Sequence, residues 1–252
     1  MPRIDWPLGP IAHRGLQNAA AGVIENTPEA MARAVVQGFA IEVDLQRARN
    51  DAPVVFHDFT LDRLTEATGP VSERTPGELA AVAFKATSDR IMTLDALLEM
   101  VAGRIPIYLE IKSDWHHGVA FEQQIASKIA GYQGPLAVMS FDPRVVAAMI
   151  ELAPGRPRGL ISGRHDGYAE RAVNGYFKRL ALRHLLSAPI ARPDFLSYDV
   201  SLLPALAPLV GRWLCGRPLL TWTIRNRRDE ARAARWADAM IFEGIRPAPR
   251  IG

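Results

Sequence analysis

Short apolar runs alternate along the chain with longer stretches in which apolar residues recur every three or four positions. The short runs predict eight strands, at Gly9–His13, Phe39–Leu45, Pro106–Ile111, Pro135–Ser140, Pro157–Ser162, Asp194–Tyr198, Pro218–Ile224 and Asp238–Phe242. Between them the periodicity predicts helices at Pro28–Gln37, Leu94–Ala102, Val119–Ala130, Pro143–Leu152, Tyr168–Leu186, Pro204–Val210 and Arg227–Trp236. Thr27-Pro28 and Asp142-Pro143 each set an N-cap residue before a proline at the first helical position. Eight strands in regular alternation with helices predict a (β/α)8 TIM barrel, as a single α/β domain over residues 1–252. A doubly wound open sheet is the alternative. The spacing breaks once, between His57 and Leu94, where a small insertion of about residues 59–93 is expected on the loop side of the second strand.

Within the second strand, Ile41, Val43 and Leu45 alternate with Ala40, Glu42 and Asp44, so both carboxylates leave the backbone on one face. The surrounding segments are apolar enough for a core strand. Burying two acids two residues apart is costly unless a cation sits between them. That is the first sign of a metal site.

Composition narrows the reading. With 48% hydrophobic residues in 252, the chain can bury a sizeable core. The balance of 30 Lys and Arg against 27 Asp and Glu favours anionic small-molecule substrates at most, and Arg225, Arg227, Arg228, Arg232 and Arg235 suit a solvated helix face better than a nucleic-acid stripe. One cysteine, Cys215, excludes an intramolecular disulfide and a Cys-rich zinc site. No apolar leader or stretch of membrane-spanning length is apparent, so the expected compartment is the cytoplasm, with no membrane span and a homo-oligomer left open. The tail Arg246–Arg250 is expected to fray.

In a barrel of this class the site forms at the C-terminal ends of the strands, and polar residues collect there. The first strand ends in His13-Arg14-Gly15, the second carries Glu42-x-Asp44 with His57-Asp58 in the hairpin after it, and the third ends in Glu110-Ile111-Lys112. Glu42, Asp44 and Glu110, with no thiolate, make an all-oxygen site suited to Mg²⁺ or Ca²⁺. Arg14 offers a forked donor for phosphate, and His13 and His57 can divide acid and base work near neutral pH. Together with Lys112 these groups describe a site for cleaving a phosphate ester.

The chain resembles the glycerophosphodiester phosphodiesterase family nearly end to end. The resemblance is carried by His13-Arg14-Gly15, Glu25-Asn26-Thr27-Pro28-Glu29, Glu42-Val43-Asp44, His57-Asp58, Leu61-Asp62-Arg63-Leu64-Thr65, Glu110-Ile111-Lys112, Ser140-Phe141 and Trp222-Thr223, in order and spacing. It implies a (β/α)8 barrel that hydrolyses glycerophosphodiesters to sn-glycerol 3-phosphate and an alcohol, a step of lipid and glycerol metabolism. In that reading Glu42, Asp44 and Glu110 hold a divalent cation, Mg²⁺ favoured over Ca²⁺, while His13 and His57 are acid and base and Arg14 and Lys112 stabilise phosphate charge. The resemblance leaves open whether a neighbouring glycerol hydroxyl or water attacks first. A phospholipase D-like lyase releasing a cyclic phosphate, and a non-catalytic anion-binding barrel, are the alternatives.

Two stretches depart from the family pattern. Leu45–Ala52 stands where the family has a Thr and an Asp-Gly turn, and Ile241-Phe242-Glu243-Gly244 carries a Glu where an Asp is favoured. Several residues also have plainer readings. Phe141 and Trp222 suit either substrate contact or core packing, Lys112 could be a surface lysine, and Glu25 and Asn26 could serve loop order alone. His116, His117 and His165 are read as surface histidines, and Asp58 as an orienting partner for His57.

Overall fold

The computed structural model describes residues 3–115, 118–164 and 176–247. All eight predicted strands are present: β1 (Ile11–His13), β2 (Ala40–Arg47), β4 (Ile107–Ile111), β5 (Leu136–Ser140), β6 (Arg158–Ser162), β7 (Phe195–Asp199), β8 (Leu219–Ile224) and β9 (Ala239–Phe242). A further strand, β3 (Pro53–Val55), pairs antiparallel with β2 as the return arm of a hairpin. The helices are α1 (Pro28–Gln37), α2 (Pro76–Ala81), α3 (Leu94–Val101), α4 (Ala120–Ile129), α5 (Pro143–Leu152), α6 (Tyr176–Arg183), α7 (Ala188–Ala191), α8 (Leu206–Trp213) and α9 (Arg227–Trp236). The strands hydrogen-bond in the order β1-β9-β8-β7-β6-β5-β4-β2-β3, with β1 also paired to β2. Eight strands whose ladder returns to its start, with helices between them, define the expected (β/α)8 fold class.

Two compact units divide the chain. One comprises Ala12–Lys112 and Gly118–Leu136; the other comprises Met1–Ile11, Ser113–His117 and Ala137–Gly252. In the first, β2 runs parallel to β4 with Asp44 opposite Glu110. Every residue of β2 from Ala40 to Gln46 is buried, on both faces. The predicted insertion folds as a short 3₁₀ turn (Val71–Glu73) and α2, over a separate apolar cluster that includes Phe56, Leu61, Val71, Leu79 and Phe84. Thr75 and Glu78 close a capping box at the start of α2. The hairpin between β2 and β3 forms without an Asp-Gly pair: Asn50 (φ 59°) and Asp51 (φ 60°) take the left-handed conformation that their short polar side chains tolerate.

In the second unit β5 to β9 pair in parallel succession. Here one expectation needs correction. The helix predicted over Tyr168–Leu186 is not continuous to its end: α6 stops at Arg183, Leu185 turns through φ 56°, and α7 begins anew at Ala188-Pro189. Its first residues, 168–175, lie outside the described residues. The helix predicted at Pro204–Val210 is shifted, running from Leu206 to Trp213.

Candidate active site

Nearly every polar group of the predicted site lies in the first unit, at the ends of β1 and β4, within β2, and in the loops that follow these strands. β1 ends at His13, and the chain reverses through Arg14 (φ 58°) and Gly15 (φ 81°). Gly15 is required twice over, because a Cβ there would stand 2.9 Å from the Cβ of Ala30 at the start of α1. The reversal turns the backbone N–H of Arg14 towards Glu42, donating to Oε2 at 3.0 Å. His13 Nε2 lies 3.9 Å from the same oxygen.

Glu42, Asp44 and Glu110 each offer an oxygen within 4.8 Å of the other two, and all three are buried. Their expected face on β2 and β4 is therefore an interior one. Asp44 is fully engaged: Lys112 Nζ lies 2.7 Å from Oδ1, Asn26 Nδ2 donates to Oδ2 at 2.7 Å, and Arg14 Nε stands 3.3 Å from Oδ2. Lys112 also pairs with Glu110 Oε1. Lys112 is thus no surface lysine. Glu42 is the opposite case, since its Oε1 is buried and has no hydrogen-bond partner among the described residues.

The electrostatics follow from this arrangement. Burial, reinforced by Asp44 and Glu110, drives the Glu42 carboxyl well above the usual range against the pull of Arg14 and Lys112. Burial likewise raises Glu110, opposed by Lys112 and supported by Asp44. For Asp44 burial acts upwards too, but Lys112, His57 and Arg14 outweigh it and hold the carboxyl below its usual range. With all three acids ionised the cluster would carry more negative charge than Lys112 and Arg14 offset, and one Glu42 oxygen has no partner among the described residues. The donor set, three carboxylates and no nitrogen or sulfur ligand, fits a hard divalent cation.

A further relay connects the groups around this cluster. His57 Nδ1 and Asp58 Oδ1 are 2.7 Å apart, as expected of an orienting partner. Arg63 spans Asp58 and Glu25, its Nε 2.5 Å from Asp58 Oδ2 and its Nη2 2.7 Å from Glu25 Oε1. Glu25 in turn accepts from Arg14 Nη1 at 2.6 Å. These pairs hold Glu25 and Asp58 below the usual carboxylate range although burial works against it. Glu25 and Asn26 therefore belong to the site as well as to the loop, while Thr27 alone caps α1. Arg63 was not among the candidate residues; its only sequence signal is the Leu61–Thr65 motif.

Phe141 and Trp222 lie in the second unit, where their rings meet edge to face at 5.5 Å. Glu243, at the departure near the C-terminus, pairs with Arg225 at 3.1 Å. His116, His117 and His165 lie outside the described residues.

Residues 13–245 match the family described as the glycerophosphoryl diester phosphodiesterase family. A Bacillus subtilis protein bearing a glycerophosphodiester phosphodiesterase name is 30% identical over 182 residues, covering 68% of this chain and 72% of its own length. Glycerophosphodiester phosphodiesterase 1 of Bos taurus is 26% identical over 252 residues, 87% of this chain and 72% of that one. Among solved structures, an Oleispira antarctica phosphodiesterase in complex with the product sn-glycerol-3-phosphate superposes with a TM-score of 0.74 at 21% identity, covering 93% of this chain and 92% of that one. The Thermotoga maritima glycerophosphodiester phosphodiesterase gives 0.69 at 22%, covering 92% and 93%. At such identities the structures bear on the fold, and they agree with the (β/α)8 assignment.

Proposed function

The chain belongs to the glycerophosphoryl diester phosphodiesterase family and is a phosphoric diester hydrolase; from that premise we propose that it converts glycerophosphodiesters to sn-glycerol 3-phosphate and an alcohol. The observation that carries the proposal is the buried cluster of Glu42, Asp44 and Glu110, with His13 and Arg14 at the end of the neighbouring strand. In this reading the three carboxylates hold a divalent cation, which supplies positive charge to the phosphate oxygens. Mg²⁺ is favoured over Ca²⁺ because the reading includes a cytoplasmic setting, where Mg²⁺ is abundant.

The chain's own groups supply the rest. Arg14 and Lys112 direct cationic donors at the phosphate. Asp58, accepting Nδ1–H of His57, leaves Nε2 of that ring to take the proton of the attacking hydroxyl and stabilises the imidazolium that results. His13 gives its proton to the departing alcohol oxygen. The attacking hydroxyl is either that of water or the neighbouring glycerol hydroxyl, the second route passing through a cyclic phosphate that water opens. Phe141 and Trp222 offer apolar faces to the glycerol or the alcohol.

Wild-type protein incubated with glycerophosphocholine and followed by phosphorus NMR should yield glycerol 3-phosphate. His13→Ala and Glu42→Ala should abolish turnover while leaving the circular dichroism spectrum unchanged. Retained turnover in either variant would refute the assignment, and a cyclic phosphate as final product would make the enzyme a lyase.

A further inference from the structure

Ten large hydrophobic side chains are markedly exposed among the described residues, and six of them fall between Leu186 and Leu214. Leu206, Val210, Trp213 and Leu214 follow the spacing of one helical face along α8 and its C-terminal end, with Leu206 82% and Leu214 80% exposed. Leu186 and Ile190 stand at α7, just before β7, and are 68% and 69% exposed. These are not scattered positions. Residues of α7 and α8 belong to one buried cluster that includes Leu185, Ala191 and Leu209, with partly buried Trp236 of α9 packed against it, and Trp213 of α8 meets Trp236 at 6.0 Å. The buried side of this helix layer is thus accounted for; its outward side is apolar and has no cover among the described residues.

Charge distinguishes the layer from the rest of the protein. Residues 176–236 carry 11 Lys and Arg against 4 Asp and Glu, whereas the remainder carries 19 against 23. Arg183, Arg192 and Arg235 are exposed, and none has a carboxylate within ion-pair distance among the described residues. Arg235 instead lies over the Trp236 ring at 5.0 Å. Exposed Leu, Ile and Trp fringed by unpaired arginine is the chemistry of a surface that enters the headgroup region of a bilayer. A second copy is the poorer occupant, because a two-fold pairing of this face would bring together two surfaces with the same excess of arginine.

We propose that the outward face of α7 and α8, with its fringe of arginines, docks on an anionic lipid surface. The face belongs wholly to the second unit and does not draw on the reading of the carboxylate site.

Flotation with vesicles tests it, using phosphatidylcholine alone and phosphatidylcholine with phosphatidylglycerol. The wild-type chain should float with the mixed vesicles only, and less so at high salt. The paired change Trp213→Glu and Leu214→Glu, and separately Arg192→Glu with Arg235→Glu, should each weaken that binding about tenfold or more. All four side chains are exposed, so folding is retained, with phosphodiesterase turnover on a soluble diester as the check. Absence of flotation, equal flotation with both vesicle types, or unchanged flotation of both variants would overturn the proposal. So would a dimer in light scattering that Trp213→Glu and Leu214→Glu convert to monomer while wild type ignores vesicles.

Discussion

Lys112 places its ammonium 2.7 Å from Oδ1 of Asp44 and on Oε1 of Glu110 as well. A buried ammonium thus divides two of the three acids that converge from β2 and β4. Lys112→Met leaves those acids without that partner, and removing one side of a buried pair costs about 3 kcal/mol or more. Urea denaturation should show that loss in EDTA. With Mg²⁺ present it should shrink, since added positive charge compensates the same carboxylates; an equal loss under both conditions would mean that Lys112 and the cation do not share the cluster.

Arg63 carries a separate prediction. It bridges Asp58 and Glu25 and so ties the partner of His57 to the partner of Arg14. Arg63→Gln should lower kcat by roughly a hundredfold through misplacement of the imidazole, with a smaller change in KM. Arg63→Lys should not restore it, because a single ammonium cannot reproduce a fork spanning two carboxylates. Unchanged kcat in both variants would confine Arg63 to loop order.

Acid and metal should act on stability in different pH ranges. Asp44, Asp58 and Glu25 are held below their usual values, so their contribution is complete above their unfolded pKa values, near pH 4, and is lost as pH falls towards the folded ones. Glu42 and Glu110 are raised, by burial first, so the metal-free fold loses stability as pH rises through their folded values. In EDTA the Tm should therefore fall between about pH 5 and about pH 8, and the gain on adding Mg²⁺ should be larger at the higher pH. Thermal scans at both values, with and without metal, would decide it; a larger gain at the lower pH is the contrary result.

Asn26 offers a test of how the clustered acids are aimed. It donates to Asp44 Oδ2 through Nδ2 at 2.7 Å and accepts the Asp44 backbone N–H through Oδ1 at 3.2 Å. Asn26→Ala removes both from a buried site and should destabilise the protein by about 1 to 3 kcal/mol. Metal affinity, measured by calorimetry, should fall with it by roughly ten- to a hundredfold. Asn26→Asp, which sets a second carboxylate against Asp44, should be at least as damaging.

Much of this site was legible because its residues lie in strands or at their ends. The period of two placed Glu42 with Asp44 and Glu110 with Lys112, and the fold class put both pairs at one end of their strands. What stayed hidden depends on contacts distant in sequence. Glu25 and Arg63 are 38 residues apart and lie in loops, where no periodicity marks a side chain's partner. The break between α6 and α7 was missed because Leu185 adopts a left-handed turn that its sequence does not advertise. The hairpin after β2 was a departure from the family pattern, yet Asn50 and Asp51 supply the same positive φ that a glycine would.

The most direct test of the proposed chemistry is the rate of glycerol 3-phosphate release from glycerophosphocholine and glycerophosphoethanolamine in EDTA, then after adding back Mg²⁺ or Ca²⁺. Release that stops in EDTA and returns with one of the metals in wild type, but not in Glu42→Gln, is the expected result. Undiminished release in EDTA would contradict a cation held by Glu42, Asp44 and Glu110.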